Sequence, residues 1–496
     1  MLTLKNQFVL FISIILFGLM LNFYNLHFIQ TQPTTKPLLL HDATLISADN
    51  FYYINHIKNY LSGKGFSMNN DVDDAAVRRT PVYPLFYGFH YFLFGESKAH
   101  HIIRYTQLLL FAFSVILLGK CILNFGGNKR SAMITMMLTG FNPVLLVFTF
   151  YTITESLFPA LLMMTLYFLS CCYAKPSRAH QVCLGITVSL AVLCRPVLAL
   201  LIIPLGIWWL VQYKQDIKKG VVAMLMIAFG AALIFSPWII RNYRITNGLF
   251  IPLEKTNIDD PMSYGKCYTA WYRWIDAWTN SANIPLESLY SKMVININTG
   301  EPLSKVEITE SILNEFPSQA WQFTPRDSLK ENLILLYDYT KSKIDGEPGL
   351  QQKDLSLAEK FNSLKQSIKT NFPIHFYVVN PLLTLKSVMF QSNSYPIAFL
   401  NNPSSSITIK LIKGIQYLYN IICFLVLAWS LFSLSKNPLL VNLCIAFSVV
   451  YLLLFIFVIK HFEARYLIPL APMFAILVGN KSDVISRKGL KKTEVA

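Results

Sequence analysis

The chain has 496 residues, of which 54% are hydrophobic and only 14% charged, and its formal net charge is +16. That is too apolar for a chain solvated by water alone, so the bilayer must be part of its solvent. The positive balance therefore has to be read against membrane topology before any acidic partner is invoked.

Apolar runs predict about ten spans, at 7–29, 102–119, 131–149, 156–173, 182–194, 197–213, 220–240, 410–433, 438–459 and 466–480. The first run is long enough to cross at about 1.5 Å per residue and longer than a cleaved signal core, so it is expected to remain as a helix. Residues 182–213 are broken only at Arg195-Pro196, which reads as two helices joined by a tight turn. With the N-terminus cytoplasmic, Lys5, Lys120, Lys129, Arg130, Lys175, Arg178, Lys214, Lys218, Lys219, Lys436 and the basic tail all fall inside, whereas the turn at 150–155 carries no Lys or Arg. The positive-inside rule is satisfied, much of the charge is topology, and no nucleic acid is expected.

The expected organisation is a membrane module over 1–240 with a first outer loop at 30–101. An outward-facing, α-rich segment with interfacial helices follows over 241–409, then membrane helices over 410–480 and a cytoplasmic tail over 481–496. Stretches such as DSLKENLILLYDYTKSK support helices in the outer segment. FYVVNPLLTLKSVMF (376–390) is interrupted by Pro381 and Lys386 and reads as an interfacial helix. If it spanned instead, the topology beyond it would flip. Of eight cysteines only Cys267 lies in a long polar segment, which offers neither a disulfide framework nor a paired metal site.

Several charges sit where the topology rule would not put them, on the outer rim. Asp49 heads ADNFYYINHIKNYL, Glu155 lies in FTFYTITESLF, Arg195 in VLCRPVL, Arg241 in PWIIRN, and Glu463 and Arg465 in KHFEARYLIPLAP. Each has a plainer reading. Asp49 and Glu155 suit helix N-caps; the stripe Tyr53, Ile54, Ile57, Tyr60, Leu61 suits a helix lying on the bilayer; Arg241 could snorkel to lipid phosphates. Taken together, acids and arginines on one membrane face suit one chemistry. A hydroxyl or amine nucleophile needs a base, and a departing lipid phosphate needs fixed positive charge, which arginine supplies in bidentate form. That is sugar transfer from a polyprenyl-phosphate carrier.

ADNFYY, RTPVYPLFYGF, TESLF, LAVLCRPVL, PWIIRNYRITNG and EARYLIPLAP, in this order, resemble the polytopic glycosyltransferases of the GT-C fold, the family of protein O-mannosyltransferases and lipid A aminoarabinose transferases. The resemblance implies a mainly α, GT-C-type helix bundle and an inverting transfer without metal or cofactor. It implies that Asp49 is the base or acceptor-orienting acid, that Glu155 is a second acid, and that Arg195, Arg241, Glu463 and Arg465 lie near the donor phosphate. Tyr53, Arg79 and Tyr83 fall in the same motifs, Arg78 stands beside Arg79 at the end of an acidic stretch, and all four are expected to contact acceptor or sugar. One departure is that Asp49 is followed by Asn50, where the family often has Asp-Glu. The implied partners are a polyprenyl-phosphate-linked sugar, an envelope acceptor and membrane lipids, with the site facing outward from a bacterial cytoplasmic membrane.

NNDVDDAAVRR (69–79) contains a DxD pattern at Asp71, Asp73 and Asp74 that suits a divalent metal or a solvated loop. The aromatics of YTAWYRWIDAW (268–278) suit sugar stacking or interfacial anchoring. The rival functions are a transporter or flippase, and a polymerase or ligase, of lipid-linked glycans. A transporter would place its charges near the midplane and show internal repeats.

Overall fold

The computed structural model describes residues 4–31, 39–45, 49–67, 79–253, 265–280, 284, 286–300, 303–390, 407–460 and 464–493. Contacts divide the chain into two units, Met1–Lys255 with Gln391–Tyr451 and Ala464–Ala496, and Thr256–Phe390 with Leu452–Glu463.

In the first unit, α1 (Leu4–Thr31) precedes an antiparallel hairpin, β1 (Leu39–Leu40) and β2 (Thr44–Leu45), and a short helix α2 (Asn50–Leu61). The apolar stripe of α2 divides, contrary to the expectation of a helix lying on lipid. Tyr53, Ile54 and Ile57 are buried, the two isoleucines in a cluster with Tyr87, Ala99 and Ile103, and only Tyr60 and Leu61 are exposed. Those three cluster partners lie on α3 (Val82–Asn124), which bends at Gly95, where φ is 72° and ψ 170°. A residue without a Cβ adopts that conformation at little cost.

The run expected to span over 131–149 is two helices, α4 (Lys129–Gly140) and α5 (Pro143–Phe148). Pro143 cannot donate to a continuous helical ladder, and the Asn142 side chain instead accepts from the N–H groups of Val144 and Leu145. After α6 (Thr154–Ala174) and α7 (Arg178–Cys194) the chain breaks at Arg195-Pro196 as expected. It then passes through a 3₁₀ turn into α8 (Ile202–Tyr213) and α9 (Ile217–Ile245). Helices α7 and α9 meet backbone to backbone. A Cβ on Gly185 would stand 2.0 Å from the Ile227 carbonyl oxygen, and one on Gly230 2.2 Å from that of Val182. Lipid tails are as apolar as side chains, so close packing at small residues is what joins helices in a bilayer.

The second unit holds α10 (Gly265–Trp278), α11 (Leu286–Asn298), α12 (Lys305–Leu313), α13 (Ala320–Phe323), α14 (Arg326–Ile344), α15 (Leu350–Asn371) and α16 (Asn380–Met389). Cys267, Trp271, Trp274 and Trp278 recur at helical spacing and face inward. The three tryptophans are the buried core of this unit, packed with Phe361, Leu333 and Leu336, which overturns both the sugar-stacking and the anchoring readings. Buried Asp354 of α15 accepts from the N–H groups of Lys266 and Cys267, both at 2.8 Å, and so satisfies orphan donors in the first turn of α10. The 376–390 piece forms a π-type turn at His375–Val379 running into α16.

Three helices follow, α17 (Ile407–Leu431), α18 (Leu439–Leu453) and α19 (Leu470–Thr493). Among the described residues, seven helices are long and apolar enough to cross a membrane, and 376–390 is not one of them. The expectation of ten fell short at 131–149, which is broken. It also fell short at 182–194, which belongs to the 17-residue α7, and at 466–480, whose helix starts only at Leu470.

Two outcomes are expected from this packing. Gly185→Leu forces α7 off α9 and costs about 1–3 kcal/mol, read as a lowered thermal midpoint in detergent. Asp354→Ala leaves two amide donors in the first turn of α10, one of them buried, without their acceptor and costs about 1–2 kcal/mol, read through tryptophan fluorescence of the Trp271–Trp274–Trp278 core.

Candidate active site

Each rim charge is held by a different local device. Asp49 stands immediately before α2 in a helical conformation, φ −81° and ψ −15°, and its side chain makes no capping bond. The cap reading is therefore overturned. Its Oδ1 accepts from Arg79 Nη2 at 3.2 Å and its Oδ2 from Arg465 Nη1 at 2.6 Å. The neighbouring Asn50 is buried and donates from Nδ2 to the Leu45 carbonyl at 3.1 Å, which ties α2 to the hairpin. Asn50 thus serves as a brace where the resembling family often has a second acid.

Glu155 lies in the first turn of α6 and is 4% exposed. It too is no cap. Arg195 Nη1 is 2.6 Å from its Oε1, and Thr154 Oγ1 donates to its Oε2 at 2.9 Å. Arg195 sits between α7 and the 3₁₀ turn in an extended conformation, φ −145° and ψ 106°. The residue before a proline is disfavoured in the α region, so Pro196 both stops α7 and turns Arg195 out of it. Its guanidinium lies over the Phe158 ring at 4.9 Å and within 5.8 Å of the Tyr466 ring. Arg465 belongs to the turn Ala464–Leu467, where the Tyr451 hydroxyl donates to the Tyr466 carbonyl at 2.8 Å. Besides its bond to Asp49, Arg465 Nη1 is 3.7 Å from Glu155 Oε1. Arg79 lies over the rings of Tyr52 and Tyr53 at 5.2 and 5.7 Å.

The order is Arg79, Asp49, Arg465, Glu155, Arg195, with signs alternating along it. Among the described residues, three guanidiniums against two carboxylates leave one positive charge in excess. Alternation is what makes burial of these charges bearable near hydrocarbon, and the excess suits an anion. The first three members are more accessible than the last two. The side chains of Asp49, Arg79 and Arg465 are 24%, 27% and 27% exposed, and those of Arg195 and Glu155 only 13% and 4%. Asp49 is the acid that a molecule from solution can reach, and each of its oxygens has lone-pair capacity beyond its one guanidinium bond.

Other expected residues are placed differently. Tyr83 is fully buried, donates to Gln107 Oε1 at 2.8 Å and meets Tyr53 edge-on, so it has no surface for an acceptor. Ser156 Oγ also donates to Gln107 Oε1, and Gln107 Nε2 donates to the carbonyls of Thr149 and Tyr151. This belt fixes the turn that presents Glu155. Tyr53 is nearly buried beside Arg79, and burial pushes its phenol up to about 12. Arg241 donates to the Phe66 carbonyl at 2.6 Å and to Asn242 Oδ1, with its guanidinium over Phe66 and Trp238. It lines an apolar groove of about 500 Å³ together with Tyr60, Leu85, Leu193 and Pro237. Glu463, Arg78 and the DxD acids Asp71, Asp73 and Asp74 lie outside the described residues. Sequence reasoning missed Thr154, Phe158, Tyr466 and Gln107. Only Thr154 carried a signal, as the hydroxyl next to the acid in TITES.

Residues 78–240, about a third of the chain, match the model of a family described as dolichyl-phosphate-mannose-protein mannosyltransferase. No curated protein matches the chain. Among solved structures, the archaeal oligosaccharyltransferase AglB from Archaeoglobus fulgidus, in complex with an inhibitory peptide and a dolichol-phosphate, aligns at 12% identity and TM-score 0.47. That alignment covers 98% of this chain and 51% of that one, so the chain spans about half of AglB's length. ArnT from Cupriavidus metallidurans bound to undecaprenyl phosphate aligns at 13% identity and TM-score 0.35, over 97% of this chain and 79% of that one. The family match takes in Arg79, Glu155 and Arg195 and agrees with the resemblance read from the motifs: over residues 78–240 the chain is similar to that family of membrane glycosyltransferases.

Proposed function

We propose that this protein transfers a sugar, hexosyl or pentosyl, from a polyprenyl-phosphate carrier to a lipid, glycan or protein acceptor, with inversion. In this reading the reaction takes place at the outer face of a bacterial cytoplasmic membrane, with the segment 241–409 facing outward and 1–240 and 410–480 forming the membrane modules. The observation that carries the reading is the alternating array with its excess positive charge, three of whose five members, Arg79, Glu155 and Arg195, lie in the segment that matches the family.

In this reading Asp49 takes the proton from the acceptor hydroxyl or amine. The acceptor atom bonds to the anomeric carbon from the face opposite the phosphate, and the bond from that carbon to the phosphate oxygen breaks. Its electron pair leaves with the carrier, which gains a negative charge as it becomes a monoester. Arg465 and Arg195 are aimed at that charge, which exists in full only after departure, so they stabilise the transition state more than the bound donor. Glu155 is too buried to meet an acceptor and acts as a positioning residue that holds Arg195 and Arg465 in register. Arg79 faces the accessible side of Asp49 and meets the acceptor or sugar, with Tyr53 as the wall beneath it. The apolar groove suits an isoprenoid chain, with Arg241 meeting the headgroup end. Arg78, next to Arg79, keeps its acceptor role, and Glu463 the donor role its motif implies. Tyr83 is assigned to the core.

Asp49→Asn in purified protein, offered a panel of polyprenyl-phosphate sugars, is expected to lose turnover by about 10²–10⁴-fold while donor binding persists. Unchanged turnover would remove Asp49 from the chemistry, and lipid-sugar flipping by a wild-type protein that never transfers would favour the transporter. Glu155→Gln leaves buried Arg195 facing a neutral amide. It is expected to cost about 3 kcal/mol of stability, seen as earlier thermal aggregation in detergent, together with most of the activity.

A further inference from the structure

Outside the array, the hairpin and the bend of α3 bring together two histidines and a carboxylate. One ligand atom each from His41, Glu96 and His100 lies within 4.8 Å of the other two. His41 is at the hairpin tip; Glu96 and His100 follow the bend at Gly95 by one and five residues. We propose that these three side chains hold a divalent transition-metal ion, zinc by preference, that staples the first-loop hairpin to α3.

The donor set is the first argument. Two imidazoles and one carboxylate, with a position left for water, are a recurrent zinc set, and neither the soft sites of copper(I) nor the oxygen cages of calcium and magnesium resemble it. Distance is the second. Ligands about 2.0 Å from a tetrahedral ion stand about 3.3 Å from one another, and His41 Nε2 is already 3.5 Å from Glu96 Oε1. The His41 and His100 rings stack with centroids 5.4 Å apart, so a small rotation of the outer histidine closes the set. Outer partners are the third. The Tyr87 hydroxyl is 3.2 Å from His100 Nε2 and Thr44 Oγ1 is 3.4 Å from His100 Nδ1, so whichever nitrogen takes the ion, the other keeps an oxygen that fixes the ring. The hairpin itself also bears on the question. His41 and Asp42 both have positive φ, 47° and 53°, an unfavourable conformation for residues with a Cβ, and it is this that turns His41 toward His100.

A resident cation competes for the site, because Lys58 Nζ is 2.5 Å from Glu96 Oε1. The carboxylate therefore has two possible partners, the ammonium of α2 or the ion. The ion is a positioning group and takes no part in the transfer. Its route to the reaction is mechanical, since Leu45 N–H donates to the Phe150 carbonyl at 3.0 Å and the Thr152 hydroxyl to that of Thr44 at 3.3 Å. The hairpin thus rests on the turn that leads to Glu155, and fixing one fixes the other.

The test uses the full chain, purified on a histidine-free tag, stripped of metal and titrated with Co²⁺ read by its visible ligand-field bands, then with Zn²⁺ in competition. One equivalent is expected to bind. His41→Ala and Glu96→Gln, both at partly exposed positions that tolerate change, are expected to weaken binding by at least about tenfold. Lys58→Ala is expected to tighten it, because the competing ammonium is gone. Absence of a saturable cobalt spectrum in the wild type, or equal affinity in His41→Ala, would overturn the proposal. So would weaker binding in Lys58→Ala than in the wild type.

Discussion

Arg465 donates to Asp49 at 2.6 Å and stands 3.7 Å from Glu155, and the candidate site is organised around this one shared guanidinium. Without it the two carboxylates would face each other in a medium that penalises like charges. With it they become parts of one alternating series. Arginine suits the post because its fork presents several donors in one plane and stays charged at any working pH. Lysine, a compact and strongly hydrated point charge, could not bridge two acids in the same way.

The residues around the array fix it largely through the backbone. Pro196 imposes the extended turn that frees Arg195. Asn50 ties the start of α2 to the hairpin, Tyr451 holds the turn that carries Arg465, and Gln107 gathers Tyr83, Ser156 and two carbonyls below Glu155. None of these groups reacts. A charge displaced by even an ångström would be aimed at the wrong atom, and stabilisation of a departing phosphate depends on aim. The neutral hydrogen bonds therefore matter to the chemistry as much as the ion pairs they support.

Much of the array was legible in the chain, for a physical reason. Charges beside apolar runs cannot be ornamental when hydrocarbon penalises them, so Asp49, Glu155, Arg195 and Arg465 stood out, the two arginines also against the topology rule. What stayed hidden depended on cover. The stripe of α2 and the tryptophans of α10 announce an apolar face, but amphipathicity does not say whether lipid or protein lies against it, and in both cases it was mostly protein. Tyr83 shares a motif with the rim and yet points into the core. The break at Asn142-Pro143 was visible as two residues, but the surrounding hydropathy reads straight through it. His41 and Glu96 are 55 positions apart and carry no local pattern, so only the folded chain brings them together.

The distance along the chain between Asp49 and Arg465 is 416 residues. Translation proceeds from one end, so helices α1 to α9 can enter the bilayer long before Arg465 exists. For most of the time the ribosome is at work, the carboxylates of Asp49 and Glu155 must be kept company by Arg79 and Arg195 alone. The half-made protein carries four of the five members of the array and cannot close the series. Completion of the array is thus a late event in biosynthesis: the two carboxylates and two guanidiniums made first only balance one another, and the positive excess arrives with Arg465.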